Sequence, residues 1–138
     1  MADRYTYRQT TGDLLDKGDR VATCYAGGNG GLNPEGVNNP ALQYASNVGP
    51  LPQGRYVVGD LHSAAIDGIN FDARFGPTYR RLKQVNEEQM HGRSGMLMHW
   101  DRADRATRPQ SGSHGCICPW DGNIIAQLVA GEILEVVE

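Results

Sequence analysis

Cysteine is scarce in this chain of 138 residues, and it comes in an odd number: Cys24, Cys116 and Cys118. Three thiols do not make the framework that staples small secreted domains. A Cys116–Cys118 bridge would close a tight, strained loop. Positive charge is not in excess either. The formal net charge is -3, so the composition gives no electrostatic reason to bind nucleic acid or an anionic membrane. No apolar run approaches the roughly 20 residues that span a bilayer, so membrane insertion is not expected. The opening MADRYTYRQTTGD lacks the apolar segment of a secretory signal, which predicts synthesis in the cytoplasm without export by that route. Internal repeats and low-complexity segments are also missing.

What is present suits one domain spanning residues 1–138. Hydrophobic residues make up 39% of the chain, enough for a single core and too little for two. Glycine (18) and proline (7) are plentiful, as expected of short strands joined by many turns. YTYR, LL and RVATCY read as strands separated by the turns TTGD and DKGD. Cys24, within VATCY, reads as a small buried hydrophobe. AGGNGGLNPEG holds five glycines between Gly27 and Gly36. No Lys-Ser or Lys-Thr follows it, so it reads as a flexible surface loop rather than a phosphate cradle, with the border of a cleft as its one alternative use. GPLPQG turns the chain into the strand RYVVGDL. Ile66 to Gln89 resists placement, and QVNEEQ within it fits a helical turn or a loop. GMLMHW, Gly95 to Trp100, predicts a strand with Leu97 and His99 on one face and Met96 and Met98 on the other. DGNIIAQLVAG predicts one short amphipathic helix with Asp121 as N-cap and Gly131 as its stop. EILEVVE closes as a strand. The sum is mainly β with one or two short helices.

SGSHGCICP, Ser111 to Pro119, concentrates the chemistry. A zinc site assembled from Cys116, Cys118, His114 and one of His91 or His99 is disfavoured, because Cys-Ile-Cys leaves one residue where two or more are usual. No metal or other cofactor is expected. A nucleophile needs a thiol, a base and donors for an oxyanion. An imidazole near Cys116 would lower its pKa and take its proton. Ser113 and Gly115 suit a tight turn whose N–H groups converge. His99 sits on a strand rigid enough to hold an imidazole, whereas His114 reaches Cys116 only if the turn folds back. His91 reads as a loop residue, and His62 has no partner that the sequence names.

SHGC, with His99 fourteen positions before Ser113, resembles the active-site signature of L,D-transpeptidases. The whole chain resembles the L,D-transpeptidase-like type VI secretion effectors (the Tlde group), relatives of the YkuD-type L,D-transpeptidases. The matching pieces are YTYRQTTGDLL, NNP at Asn38–Pro40, NVGPLPQGRYVV, GRSGMLMH at Gly92–His99 and SHGCICP, from about Tyr5 to Pro119. The resemblance implies an L,D-transpeptidase-like β-sandwich acting on peptidoglycan stem peptides. Cys116 would be the nucleophile and His99 the base, with Ser113, His114 and Gly115 supporting the turn or the oxyanion. The intermediate would be a thioester. Water resolves it in L,D-carboxypeptidase action, a D-amino acid by exchange, and a second stem by cross-linking. It further implies an antibacterial toxin delivered by type VI secretion to the periplasm of a target cell. Its partners would be a cognate immunity protein and a secretion-apparatus tip protein.

Two positions depart from the cell-wall enzymes, which commonly have glycine after the base and a polar or basic residue two after the cysteine. Here these are Trp100 and Cys118, which makes cross-linking the least supported outcome. Arg93 is a candidate for bidentate pairing with a substrate carboxylate or for a structural ion pair. Tyr56, Trp100 and Trp120 are candidates to line the cleft, and ordinary strand packing accounts for Tyr56 and Trp120 equally well. Arg102, Arg105 and Arg108 read as a solvated loop on the rim. A non-catalytic cell-wall or phage-tail binding module, or a small zinc protein, are the readings from other classes.

Overall fold

The structure is a computed structural model and describes residues 3–63, 77–101 and 113–138. Among these residues are eight strands: β1 (Tyr5–Arg8), β2 (Asp13–Asp16), β3 (Asp19–Ala26), β4 (Gly54–Ser63), β5 (Thr78–Gln84), β6 (Leu97–His99), β7 (Ile117–Pro119) and β8 (Ile133–Val137). They pair in the order β1-β2-β3-β7-β6-β5-β4-β8. The ring closes where β8 lies parallel to β1, Tyr5 opposite Leu134. The expected sandwich is therefore corrected to a closed barrel. Each strand has two partners, so no edge is left to be covered by a second sheet.

Alternation along the strands fills the barrel. Tyr5 and Tyr7 on β1, Tyr56 and Val58 on β4, and Leu134 and Val136 on β8 are all buried, at the period of two that a pleated strand imposes. The large rings take up interior volume, and two of their polar tips are satisfied locally. Tyr56 donates to the Pro52 carbonyl at 2.6 Å, and the Tyr5 hydroxyl accepts from the Val129 N–H at 3.0 Å. Tyr56 is fully buried, so its place is the core and not the wall of a cleft.

β5 corrects the sequence reading most. It is a seven-residue interior strand within the stretch that resisted placement; residues 64–76 of that stretch lie outside the described ones. Its buried positions include Arg80 and Gln84 as well as Leu82, so no apolar alternation announces it. Arg80 donates from Nε to the Ile125 carbonyl at 2.6 Å, from Nη1 to Gly59 at 2.8 Å and from Nη2 to Leu128 at 2.8 Å. Two of those carbonyls belong to the end of the helix α1, which is only Ile124–Gln127. The helix expected to run from Asp121 to Gly131 stops after one turn because Leu128 turns extended (ψ 153°). Arg80 takes up carbonyls that a continuing helix would have bonded. Asp121 does not cap it directly; its carboxylate accepts from the Asn123 N–H at 3.0 Å. Of QVNEEQ, Gln84 ends β5 and the last three residues enter a 3₁₀ turn, Glu87–Met90. Among the described residues no helix is long and apolar enough to cross a membrane.

Arg80→Met should destabilise the fold by about 2–4 kcal/mol, because three carbonyls lose a charged donor inside the protein. Urea unfolding followed by circular dichroism measures this. A change under about 0.5 kcal/mol would mean that water replaces the guanidinium at no cost.

Candidate active site

β6 and β7 run parallel with Met98 opposite Ile117. Carried one residue each way, this register sets Leu97 beside Cys116 and His99 beside Cys118. All three chemical side chains then share the face opposite Met98 and Ile117. The contacts agree with it. The Leu97 N–H donates to Cys116 Sγ at 3.3 Å, and Cys118 Sγ lies 3.6 Å from Nδ1 and 3.7 Å from Nε2 of His99.

Cys116 is half-buried and opens on a cleft of about 310 Å³ walled by Ser46, Asn47, Gly95, Met96 and His114. A second, larger cavity of about 480 Å³ lies beyond the segment Gly92–Met96, against Leu82 and Met90, and does not reach Cys116. The Cys116 thiol therefore opens on the smaller cleft. Burial pushes the Cys116 thiol above the ordinary cysteine value. The Leu97 N–H, the positive Arg93 and the Cys116 amide pull it down by less. Cys118 is completely buried, and burial raises its thiol much further. Cys24, buried as expected, is raised by the same cause. Of the three free thiols, Cys116 is the one that lines either of these two cavities.

The turn before β7 is built by Ser113 and Arg93. The Ser113 hydroxyl accepts from the Gly27 N–H at 2.9 Å and the Gly115 N–H at 3.0 Å, and donates to the Cys116 carbonyl at 2.6 Å. The Gly115 N–H is therefore committed to the turn, and an oxyanion would have to use the Cys116 amide. Gly115 itself has φ 133°, and a Cβ there would come within 2.3 Å of Arg93 Nη2; only glycine suits the position. Arg93 donates from Nη1 to Gln43 and Pro50, both at 2.6 Å, and from Nη2 to Gly49 at 3.1 Å and His114 at 3.0 Å, carbonyl oxygens in every case. Four donors on two terminal nitrogens are all that these atoms have. Arg93 thus ties the loop 43–50 to the cysteine turn, and neither terminal nitrogen has a proton left for a carboxylate.

His99 is buried, and its Nδ1 lies 2.7 Å from the Trp100 carbonyl. A carbonyl only accepts, so Nδ1 carries the proton and Nε2 holds the lone pair of the neutral ring. Trp100 contributes this carbonyl rather than a cleft wall. Its indole N–H donates to Thr78 Oγ1 at 3.0 Å, and its ring lies where a Cβ on Gly122 would be. His114 is exposed at the cleft's edge, over Gly30, where a Cβ would meet its Nε2 at 2.8 Å. Trp120 is 39% exposed, packs 6.0 Å from the Tyr25 ring and is not among the residues lining either cavity. His91 sits in a loop with φ 50° against Tyr44, and His62 stacks on Tyr79. Arg102, Arg105 and Arg108 lie outside the described residues.

The sequence reading missed the Leu97 amide and the use of the glycine-rich stretch. The latter is not a plain surface loop. Gly27 N–H holds the Ser113 hydroxyl, and Gly30 N–H donates to the Ser113 carbonyl at 3.0 Å. Five glycines in ten positions were a signal of close backbone approach, but nothing in the sequence said what approaches.

No protein-family model and no curated protein matches this sequence. Solved structures do. Bd1075 of Bdellovibrio bacteriovorus is similar over 99% of this chain and 48% of its own, with TM-score 0.58 and 13% identity. The carbamoyl enzyme that Ldtfm forms with avibactam is similar over 100% and 49%, with TM-score 0.52 and 12% identity. L,D-transpeptidase 3 from Mycobacterium tuberculosis, in complex with a faropenem-derived adduct, has TM-score 0.49 and 16% identity over 97% and 59%. The mainly β fold is thus that of L,D-transpeptidase-like structures, and the chain spans about half the length of the first two.

Ser113→Ala should cost about 2–4 kcal/mol, since two buried N–H groups lose their acceptor. Thermal unfolding at fixed protein concentration measures it. Iodoacetamide labelling of Cys116 should continue to rise above about pH 9, because burial holds its thiol up. The unfolded chain should level off near that pH; labelling mapped by mass spectrometry that levels off below pH 7 would contradict the assigned environment.

Proposed function

We propose that this chain is a cysteine-dependent acyl-transfer enzyme acting on peptidoglycan stem peptides, as an L,D-carboxypeptidase, a D-amino acid exchanger or both. One observation carries the reading. A half-buried thiol opens on a cleft from a glycine turn, on the same face of the paired strands β6 and β7 as a buried histidine whose tautomer is set by a neighbouring carbonyl, in a fold shared with L,D-transpeptidase-like structures.

The bond attacked would be the amide between the L-centre of the third stem residue and the D-Ala that follows. Cys116 starts as a thiol, because burial outweighs the donors around it. Its proton moves to Nε2 of His99 as the sulfur adds to the carbonyl carbon, a general-base step worth roughly 10²–10⁴ in rate. The oxyanion faces the Cys116 amide. When the C–N bond breaks, the imidazolium returns the proton to the leaving amine of D-Ala. The thioester is then cleaved by water, with His99 again as base, to give the tripeptide. The amine of a free D-amino acid gives the exchanged stem by the same route. A second stem as acceptor would give a cross-link. Arg93 and Ser113 hold the turn throughout, and neither needs to touch the substrate.

The family resemblance extends the proposal to an antibacterial effector, delivered by type VI secretion to the periplasm and countered by an immunity protein in the producing cell. Disaccharide-tetrapeptide incubated with the purified protein should yield disaccharide-tripeptide, read by liquid chromatography and mass spectrometry. Cys116→Ala and His99→Ala should each reduce the yield at least about 10³-fold. Conversion that persists in C116A would sink the proposal. Absence of any product from wild type, with a thiol inert to alkylation, would favour a non-catalytic cell-wall binding module on the same fold.

A further inference from the structure

Cys118 is a buried thiol for which the proposed reaction has no use, yet it has the base as its neighbour. Its sulfur is nearly equidistant from the two ring nitrogens of His99, 3.6 Å and 3.7 Å. On its other side β7 pairs with β3, and Tyr25 stands opposite Cys118. The Tyr25 hydroxyl is a hydrogen-bonding partner of the sulfur and donates to Asp101 Oδ1 at 2.6 Å. Tyr25 is completely buried, and Asp101 is 5% exposed. One direction of donation satisfies this chain: the S–H donates to Tyr25 Oη, and the Tyr25 O–H donates to the Asp101 carboxylate. The lone pairs of the sulfur are then left on the side of the imidazole.

We infer that Cys118 is a positioning residue for His99, which with Tyr25 and Asp101 holds the ring and favours its imidazolium form during acyl transfer. The inference rests on His99 being the base of the proposed reaction. An imidazolium inside a protein is unfavourable unless its new proton has an acceptor and negative charge lies near. Nδ1–H is held by the Trp100 carbonyl, and Nε2–H returns its proton to the leaving amine in the proposed reaction. The sulfur, almost equally far from both nitrogens, lies over the face of the ring, where its lone pairs meet the positive charge, and a carboxylate ends the chain behind it. A neutral thiol also cannot compete with Cys116 as nucleophile. Among the described residues, the titratable and charged groups on the strands that flank β6 and β7 are Tyr79, Arg80, Arg81 and Lys83 on β5 and Asp19, Arg20, Cys24 and Tyr25 on β3, besides Cys116, Cys118 and Asp101. Arg93 acts from the side of Cys116.

The test compares Cys118→Val, which keeps the volume, with Cys118→Ser, which keeps the polar contact, and with Tyr25→Phe. Muropeptide kinetics give kcat, KM and the acid limb of the pH profile; imidazole ¹⁵N shifts follow His99 directly. C118V should lower kcat about tenfold with KM within about twofold. It should also move the acid limb and the His99 titration to lower pH by at least about half a unit, because the ring then holds its proton less firmly. C118S should restore most of both, and Y25F should shift them in the direction of C118V. A C118V protein with wild-type kcat and titration overturns the inference. So does one that loses kcat with the titration unmoved, which is a packing effect. Where C118V does not fold, the His99 titration in Y25F and C118S decides by the same criterion. Activity retained in C116A or H99A would sink the reaction itself, whereas the His99 titration reports the coupling to Cys118 independently of turnover.

Discussion

The parallel register between β6 and β7 is the constraint on which the site depends. With Met98 opposite Ile117, the methionine and isoleucine go to the core and leave the other face to His99, Cys116 and Cys118. A slip of one residue would send the whole set to the other side and exchange it with the aliphatic side chains of Met98 and Ile117. Both strands are only three residues long, too short to hold a register by their own ladder. The barrel fixes it from outside. β5 holds β6 with Tyr79 opposite His99, and β3 holds β7 with Tyr25 opposite Cys118. His99 and the two thiols are thus placed by strands that grip β6 and β7 from either side.

The cysteine turn is fixed by a second device, in which polar side chains substitute for secondary structure. Ser113 binds two amides and one carbonyl, and Arg93 binds four carbonyls from two separate segments. Together they tie the loops 27–30 and 43–50 to the turn that carries Cys116. Buried loop backbone needs such partners, because an unmet carbonyl or N–H costs about 1–3 kcal/mol. The same guanidinium leaves a positive charge beside Cys116, an electrostatic consequence of a structural task. That charge lowers the thiol less than burial raises it.

What was legible in the sequence follows from which signals are local. β1, β2, β3, β4 and β8 were readable because apolar alternation and turn residues mark them within a few positions. β5 was not, since Arg80 and Gln84 point inward and their partners lie at Ile125, Leu128 and Gln53, far along the chain. The helix α1 was placed and its length overestimated, because the stop is set by Leu128 and Arg80 rather than by Gly131. Closure into a barrel depends on β8 meeting β1 in parallel, a long-range pairing without local trace. At the site, Cys116 and His99 could be named as candidates from spacing and motif, and the structure sets both on the face of β6 and β7 opposite Met98 and Ile117. Arg93 was read as a substrate clamp or an ion pair. Its real partners are backbone carbonyls, which have no sequence identity to be read.

The two departures from the cell-wall signature become intelligible as packing partners of other residues. Where a glycine usually follows the base, the Trp100 ring occupies the space that a side chain on Gly122 would need, and its indole N–H is anchored on Thr78. Trp100 thereby holds its own carbonyl in place to orient His99. Where a polar or basic residue usually follows the nucleophile by two, Cys118 is neutral, small and fully buried. A longer charged side chain there would collide with Tyr25 and would need its charge met in the interior. The buried polar groups on that side come instead from neighbouring elements, with Tyr25 on β3 donating to Asp101, the residue after Trp100.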